Sequence, residues 1–379
     1  MEEFARGPCT STGCGRLDQG VASFIREMPK VELHVHLEGT VGPETLQLLA
    51  QRNRIDLPPA LIRAADRQRR FGSFDSFVRV FMATAACLRS LEDFRSLVVG
   101  LGRDMGRQNI RYAEVTWTPQ LHAHLGFGAD DILAALNAGR REVLERWGAE
   151  IRWIPDLVRS YPGPALRVQA WACSAAARDG GVVALGLGGP ESDAPLDAEI
   201  VDAFARAAAA GLPANPHAGE GGGPQSVWAT LKALRPRRIG HGVRSIEDEA
   251  LVRHLADQEI VLEVCPTSNV ALAVYPSYEE HPLLTLLSAG CRVTVNSDDP
   301  ALFGSSLTEE YLRAVDACGL TLDQLQAAVL TAVRATYLSG QERASMEASF
   351  VSAFADLRIR HGLAPGGAAA LPAGAGGAK

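Results

Sequence analysis

The chain predicts an α/β fold, a (β/α)8 TIM-type barrel with a helical lid inserted after the first strand. Three observations carry this. Short apolar runs rich in Val and Ile alternate with longer helical stretches along most of the 379 residues. The runs number eight, the count that closes a parallel barrel. Residues with metal-binding or acid–base chemistry stand at the ends of four runs, where such a barrel keeps its site.

The first run is Lys30-Val31-Glu32-Leu33-His34-Val35-His36-Leu37-Glu38-Gly39. Residues two apart on a strand share a face, so His34 and His36 point one way, and Val31, Leu33, Val35 and Leu37 the other. A helical pattern follows over 43–53 through Leu46, Leu49 and Ala50, opened by Pro43 and stopped by Pro58-Pro59. Residues 60–102 are helical in character. Within them Phe74, Phe77 and Phe81 fall at i, i+3 and i+7, one face of a helix, and that stripe reads either as core or as an apolar lid over a flat ligand.

The remaining strands are expected at 110–117, 151–157, 182–187, 213–217, 238–241, 261–265 and 292–297. Helices between them are expected at 129–147, 165–178, 197–210, 225–234, 246–258 and 282–288, bounded by Gly, Pro or Asp. Residues 306–362 read as helical closure of the barrel. This divides the chain into a flexible tail (1–22), a barrel (23–362) and a Gly/Ala/Pro-rich low-complexity tail (363–379).

Composition narrows the function. Hydrophobic residues at 47% and charged residues at 21% describe a globular protein with a sizeable core. With 37 Lys+Arg against 44 Asp+Glu, the net charge of −7 argues against a nucleic-acid surface and favours a small-molecule ligand. Seven cysteines, scattered and odd in number, do not form a disulfide framework, and reduced thiols fit a cytoplasmic location. Cys9 and Cys14 have no companion ligands and read as idle. No secretory signal, membrane span or obligate protein partner is expected from the sequence.

The chemistry collects at strand ends. The first strand ends in His34-Val35-His36, the fifth in His217-Ala218-Gly219-Glu220, the sixth in Gly240-His241-Gly242 and the eighth in Asn296-Ser297-Asp298-Asp299-Pro300. His34, His36 and His217 with one carboxylate make a thiolate-free donor set that suits catalytic Zn2+. Asp298 shares parity with Thr294 and Asn296, and Asp299 has the other, so strand alternation predicts Asp298 as ligand and Asp299 as neighbour. His122 and His124 repeat the H-x-H spacing past Pro119 and read as a polar loop, while Cys265 reads as a small buried strand residue.

Taken together, VELHVHLEG, HAGE, RIGHG, EVCPTSN and NSDDP resemble, in this order, the adenosine deaminase family of zinc-dependent purine deaminases in the amidohydrolase superfamily. The resemblance runs from about residue 28 to about residue 339. It implies one Zn2+ per chain on His34, His36, His217 and Asp298, with Glu220 as proton donor and His241 and Asp299 about the attacking water. For substrate contacts it implies His36, Glu38, Gly189 and Asp299, and the phenylalanine stripe of the lid adds Phe77 and Phe81 as candidates. Residues 182–189 contain no lysine, so no bridging modified lysine is on hand for a second metal. The implied reaction is hydrolytic deamination at C6 of a 6-aminopurine nucleoside, adenosine to inosine and ammonia. Typical adenosine-specific members carry Asp where Glu38 stands, and Gly-Asp-Glu where Gly188-Gly189-Pro190-Glu191 stands. These departures point to a 5′-modified adenosine such as 6-aminodeoxyfutalosine, or to free adenine, as alternatives.

Overall fold

The computed structural model describes residues 17–57, 71–159, 161, 165–191 and 196–366. Eight strands pair in chain order: β1 (Lys30–His36), β2 (Ile110–Trp117), β3 (Glu150–Val158), β4 (Leu185–Gly188), β5 (Ala214–Ala218), β6 (Arg238–His241), β7 (Val261–Val264) and β8 (Arg292–Val295). Every neighbouring pair is parallel. Closure comes from one bridge, Val35 to Asp298, in which His36 N–H donates to Asp298 O (2.9 Å) and Asp298 N–H donates to His34 O (3.1 Å). The bonds that shut the barrel therefore join three of the expected ligands.

Local chemistry explains the helices. Pro43 starts the helix Pro43–Asn53 with its φ already helical, and Arg54, left-handed at φ 53°, ends it. Ser90 and Asp93 form a capping box on Leu91–Gln108, and buried Asp93 also accepts from Arg52 and Asn53, which ties the two helices together. The region expected as one helix over 165–178 is two, Ala165–Ala172 and Ala175–Asp179, because the Ser174 side chain caps the second by accepting from Ala177 N–H. Asp248 likewise starts Glu249–Asp257 after a 3-10 turn, later than the expected 246. The helix Gln19–Glu27, capped by Asp18, begins inside the stretch expected as a tail and buries Phe24 and Ile25. Residues 1–16, including Cys9 and Cys14, and residues 367–379 lie outside the described residues.

The lid helix Phe74–Ala85 follows residues 58–70, also outside the described set. Its aromatic stripe packs into an apolar cluster and also faces the barrel mouth. Phe77 stacks on Phe303 (ring centroids 5.1 Å apart) and meets Phe71 edge-on, a small apolar cluster separate from the main core. Phe74, Phe77 and Phe81 also line the cavity at the barrel mouth. Among the described residues no helix is long and apolar enough to cross a membrane.

Candidate active site

The carboxyl ends of the strands open into a cavity of about 450 Å³. His36, His217, Glu220, His241, Asp298 and Asp299 line one side, and the lid phenylalanines face them. His34 lies just beneath, 3% exposed. One donor atom each from His34, His217, His241 and Asp298 falls within 4.8 Å of the others, and His36, Asp298 and Asp299 form a second such group. Asp298 belongs to both. The four expected ligands are therefore contiguous, and His241 stands among them: its Nε2 is 3.7 Å from Asp298 and 3.6 Å from Glu220.

The nitrogens pointing into this cluster have no ordinary work. His34 Nε2 and His36 Nδ1 are buried and make no hydrogen bond of good geometry, although they lie 3.4 and 2.9 Å from Asp298 Oδ1. The other nitrogen of His34 is committed, Nδ1 meeting Glu263 Oε2 at 3.0 Å, and His217 Nδ1–H donates to Leu187 O (2.9 Å). Imidazoles fixed on one side with the other nitrogen turned into an acid-bearing cluster fit a metal ion. Room for the rings is built in. A Cβ on Gly240 would stand 2.6 Å from His34 Cε1, and one on Gly39 would overlap the Asp299 carboxylate. Two non-glycine residues of the site sit in the left-handed region, His241 at φ 60° and Asp298 at φ 63°. Such strain is held in place by surrounding structure and concentrates at functional sites.

Charge is arranged to differ from group to group. Burial, then the nearby Asp298 and Glu191 carboxylates, hold Glu220 well above the usual carboxyl range, the condition for a proton donor. Burial lowers His241 to about 3 and His217 well below the ordinary imidazole value, keeping both neutral. For Asp298 burial acts upward, but the close His34 and His36 imidazoles outweigh it and hold the carboxylate well below its normal range. Burial lifts Asp299 to about 6.

Behind the first layer, Glu263 accepts from Arg238 Nε (2.6 Å), and Arg238 Nη1 reaches Glu114 at 2.6 Å. Both carboxylates and the guanidinium are buried. Glu191, at the end of the Gly188-Gly189-Pro190-Glu191 turn, accepts from the N–H groups of Gly219 (2.8 Å), Glu220 (2.9 Å) and Gly221 (3.1 Å) and from Ser226 Oγ (2.6 Å). That one carboxylate holds the loop carrying Glu220.

Several expectations need correction. Strand alternation does not separate Asp298 from Asp299. β8 ends at Val295 and the left-handed turn at Asp298 follows, so both carboxylates face His36, at 2.9 and 3.5 Å. Glu38 does not line the cavity. It is 1% exposed, its Oε1 held by His122 Nε2 (2.9 Å) and Thr118 N–H (3.1 Å), so it buttresses the wall. His122 is thus Glu38's partner rather than a loose loop residue, while His124 lines the cavity mouth. Gly189 (φ 89°), Phe77 and Phe81 line the cavity, and Cys265 is a buried free thiol. Sequence reasoning passed over Glu263, Glu191 and Asp156. The last is a buried carboxyl on the cavity wall that burial lifts to about 7.

A (β/α)8 barrel with a histidine pair ending β1, histidines ending β5 and β6, and an aspartate after β8, whose donors fit a metal ion, carries the site of an amidohydrolase-superfamily hydrolase, as the family match and the solved relatives bear out. Within it, residues 29–352 match the adenosine deaminase family, and the chain belongs to that family as a hydrolytic deaminase. It is 38% identical over 342 residues to the aminodeoxyfutalosine deaminase of Streptomyces avermitilis, covering 89% of this chain and 90% of that protein. It is 36% identical over 301 residues to the adenine deaminase of Bordetella parapertussis, covering 79% and 94%. Among solved structures, the adenine deaminase from Arthrobacter aurescens superposes with a TM-score of 0.80 at 29% identity, covering 86% of this chain and 98% of that one. An amidohydrolase from Burkholderia ambifaria with bound Zn superposes at 0.84 with 27% identity, covering 92% and 96%.

Proposed function

We propose that this enzyme removes the exocyclic amino group from C6 of a 6-aminopurine nucleoside, adenosine to inosine and ammonia being the leading case. The observation that carries the reading is a buried carboxyl, Glu220, 3.6 Å from His241 and beside a cluster of converging imidazole and carboxylate donors, with burial raising its pKa in the direction a proton donor needs. The ion proposed for His34, His36, His217 and Asp298 is Zn2+, one per chain, because three imidazoles and a carboxylate match its preference. Bound there, it would lower the pKa of a coordinated water toward about 7 and so provide the nucleophile at neutral pH.

The chain's own residues supply the rest. His241 and Asp299 accept hydrogen bonds from the attacking water and aim it at C6. As the C6–O bond forms, ring electrons collect on N1, and Glu220 donates its proton there. Of the two protons on the attacking water, one passes through His241 back to Glu220 and the other goes to the amino group, so that the C6–N6 bond breaks, ammonia leaves and C6=O remains. Gly189, free of a side chain, lets the turn after β4 approach the ring edge, and the lid phenylalanines cover its face.

A 5′-modified adenosine such as 6-aminodeoxyfutalosine is the second reading, with free adenine behind it. Glu38 is turned to His122 rather than to the cavity, so a free 5′-hydroxyl meets no carboxylate from that position. The 38% identity to an aminodeoxyfutalosine deaminase supports the same reading. The mechanistic test is a pair of variants: Glu220→Gln retains the metal and loses about 10²–10⁴ in turnover, whereas His217→Ala loses both. Normal turnover by Glu220→Gln would remove the proton-donor assignment.

A further inference from the structure

Asp156 is a buried carboxyl on the cavity wall that the mechanism above leaves unused. It is 3% exposed, and its Oδ1 has no hydrogen-bond partner, although Thr118 hydrogen-bonds the carboxyl. A buried, unsatisfied acceptor on a cavity wall is costly unless a ligand completes it. The neighbouring strand is cleared to make room. A Cβ on Gly186 would come within 2.8 Å of Asp156 Cβ, and one on Gly188 within 2.7 Å of Asp156 Oδ2.

Its place in the ring says which part of a substrate it meets. The clustered donors come from β1, β5, β6 and the turn after β8, an arc centred on β7. Asp156 belongs to β3, four strands from β7 in a ring of eight and so directly across the barrel. A purine whose C6 faces the donor cluster turns its N9 side, and the sugar, toward β3. Thr118 joins the two carboxyls of this wall, its N–H to Glu38 and its side chain to Asp156. Each carboxyl keeps one buried oxygen without a partner, but only that of Asp156 lies on the cavity wall, Glu38 being held back by His122 on Oε1.

We propose that Asp156 is a specificity-determining residue that hydrogen-bonds a sugar hydroxyl of the nucleoside, the contact Glu38 does not make. The inference rests on the proposed nucleoside deamination and fixes which side chain reads the sugar.

The test compares kcat/KM for ammonia release from adenosine, its 2′-, 3′- and 5′-deoxy analogues and free adenine, in the wild type, Asp156→Ala and Asp156→Asn, with metal content counted in each. Asp156→Ala is expected to lose about 10- to 100-fold on adenosine, the range for one hydrogen bond to a buried group. On the deoxy analogue lacking the contacted hydroxyl, and on adenine, it is expected to lose less than about threefold, because the bond is already missing. The shape-preserving Asp156→Asn follows the same non-additive pattern and serves if the alanine variant does not fold. Equal losses on all five substrates, as a structural role would give, or no loss on adenosine, would overturn the proposal. If the wild type turns over none of them, the adenosine reading fails by itself. Calorimetric binding of the same five ligands to wild type and variants then applies the same criterion to Asp156, with an unchanged pattern of affinities overturning it.

Discussion

Glu263→Gln isolates the support behind the donor cluster. The carboxylate is surrounded by groups that donate: Arg238 Nε at 2.6 Å, His34 Nδ1 at 3.0 Å and Asn215 Nδ2 at 3.3 Å. An ionised carboxylate accepts on both oxygens; a glutamine of the same shape must turn its NH2 toward one of these donors. Two losses follow. His34 loses a charge-assisted bond that fixes its tautomer and ring, which is expected to weaken metal binding by about 10- to 100-fold. Arg238 keeps Glu114 but loses its second carboxylate, and breaking a buried ion pair from one side costs about 3–5 kcal/mol. Metal affinity is read by competition with a chelator, and stability by urea unfolding of the metal-free protein. Glu114→Gln is the control, since Glu114 touches Arg238, Tyr112 and the Tyr337 N–H but not His34. It is expected to destabilise the fold while leaving metal affinity within a few-fold. Wild-type metal affinity in Glu263→Gln, or equal losses of affinity in the two variants, would refute the orienting role.

Three further perturbations have defined outcomes. Gly240→Ala places a methyl 2.6 Å from His34 Cε1 with the His217 ring 3.2 Å away on the other side, and is expected to cost more than about tenfold in metal affinity by displacing these rings; retained affinity on chelator titration would contradict this. Glu191→Gln removes an anion that helps hold the Glu220 proton, so the Glu220 pKa falls. Because the acid acts only when protonated, the high-pH limb of kcat/KM is expected to move to lower pH, and an unmoved or raised limb would disprove the coupling. Phe81→Ala removes a ring that meets His36 edge-on (centroids 6.3 Å) and lines the cavity, and is expected to raise KM by about 2- to 10-fold with kcat little changed; steady-state kinetics would show the split.

The barrel was legible because its strands are short Val/Ile runs separated by capped helices, and the donor histidines because they fall at strand ends. What escaped has particular causes. Alternation holds only while the chain is extended, so it could not place Asp298 and Asp299 beyond Val295, where a left-handed residue turns the backbone. Glu38 pairs with a histidine 84 residues away, beyond any local pattern. Asp156 and Glu263 did leave a signal, a carboxylate inside an apolar run, since unpaired charges are seldom fully buried. Whether such a side chain faces a ligand or a neighbouring arginine depends on barrel geometry that no single run contains.

The central claim, a metal-dependent deaminase of 6-aminopurine nucleosides, is tested most directly by ammonia release from protein whose metal has been counted. The comparison is kcat/KM for adenosine, 5′-deoxyadenosine, 6-aminodeoxyfutalosine and adenine. Turnover that follows metal content, fastest on a nucleoside, is the expected result. No ammonia from any 6-aminopurine at full metal occupancy would contradict it.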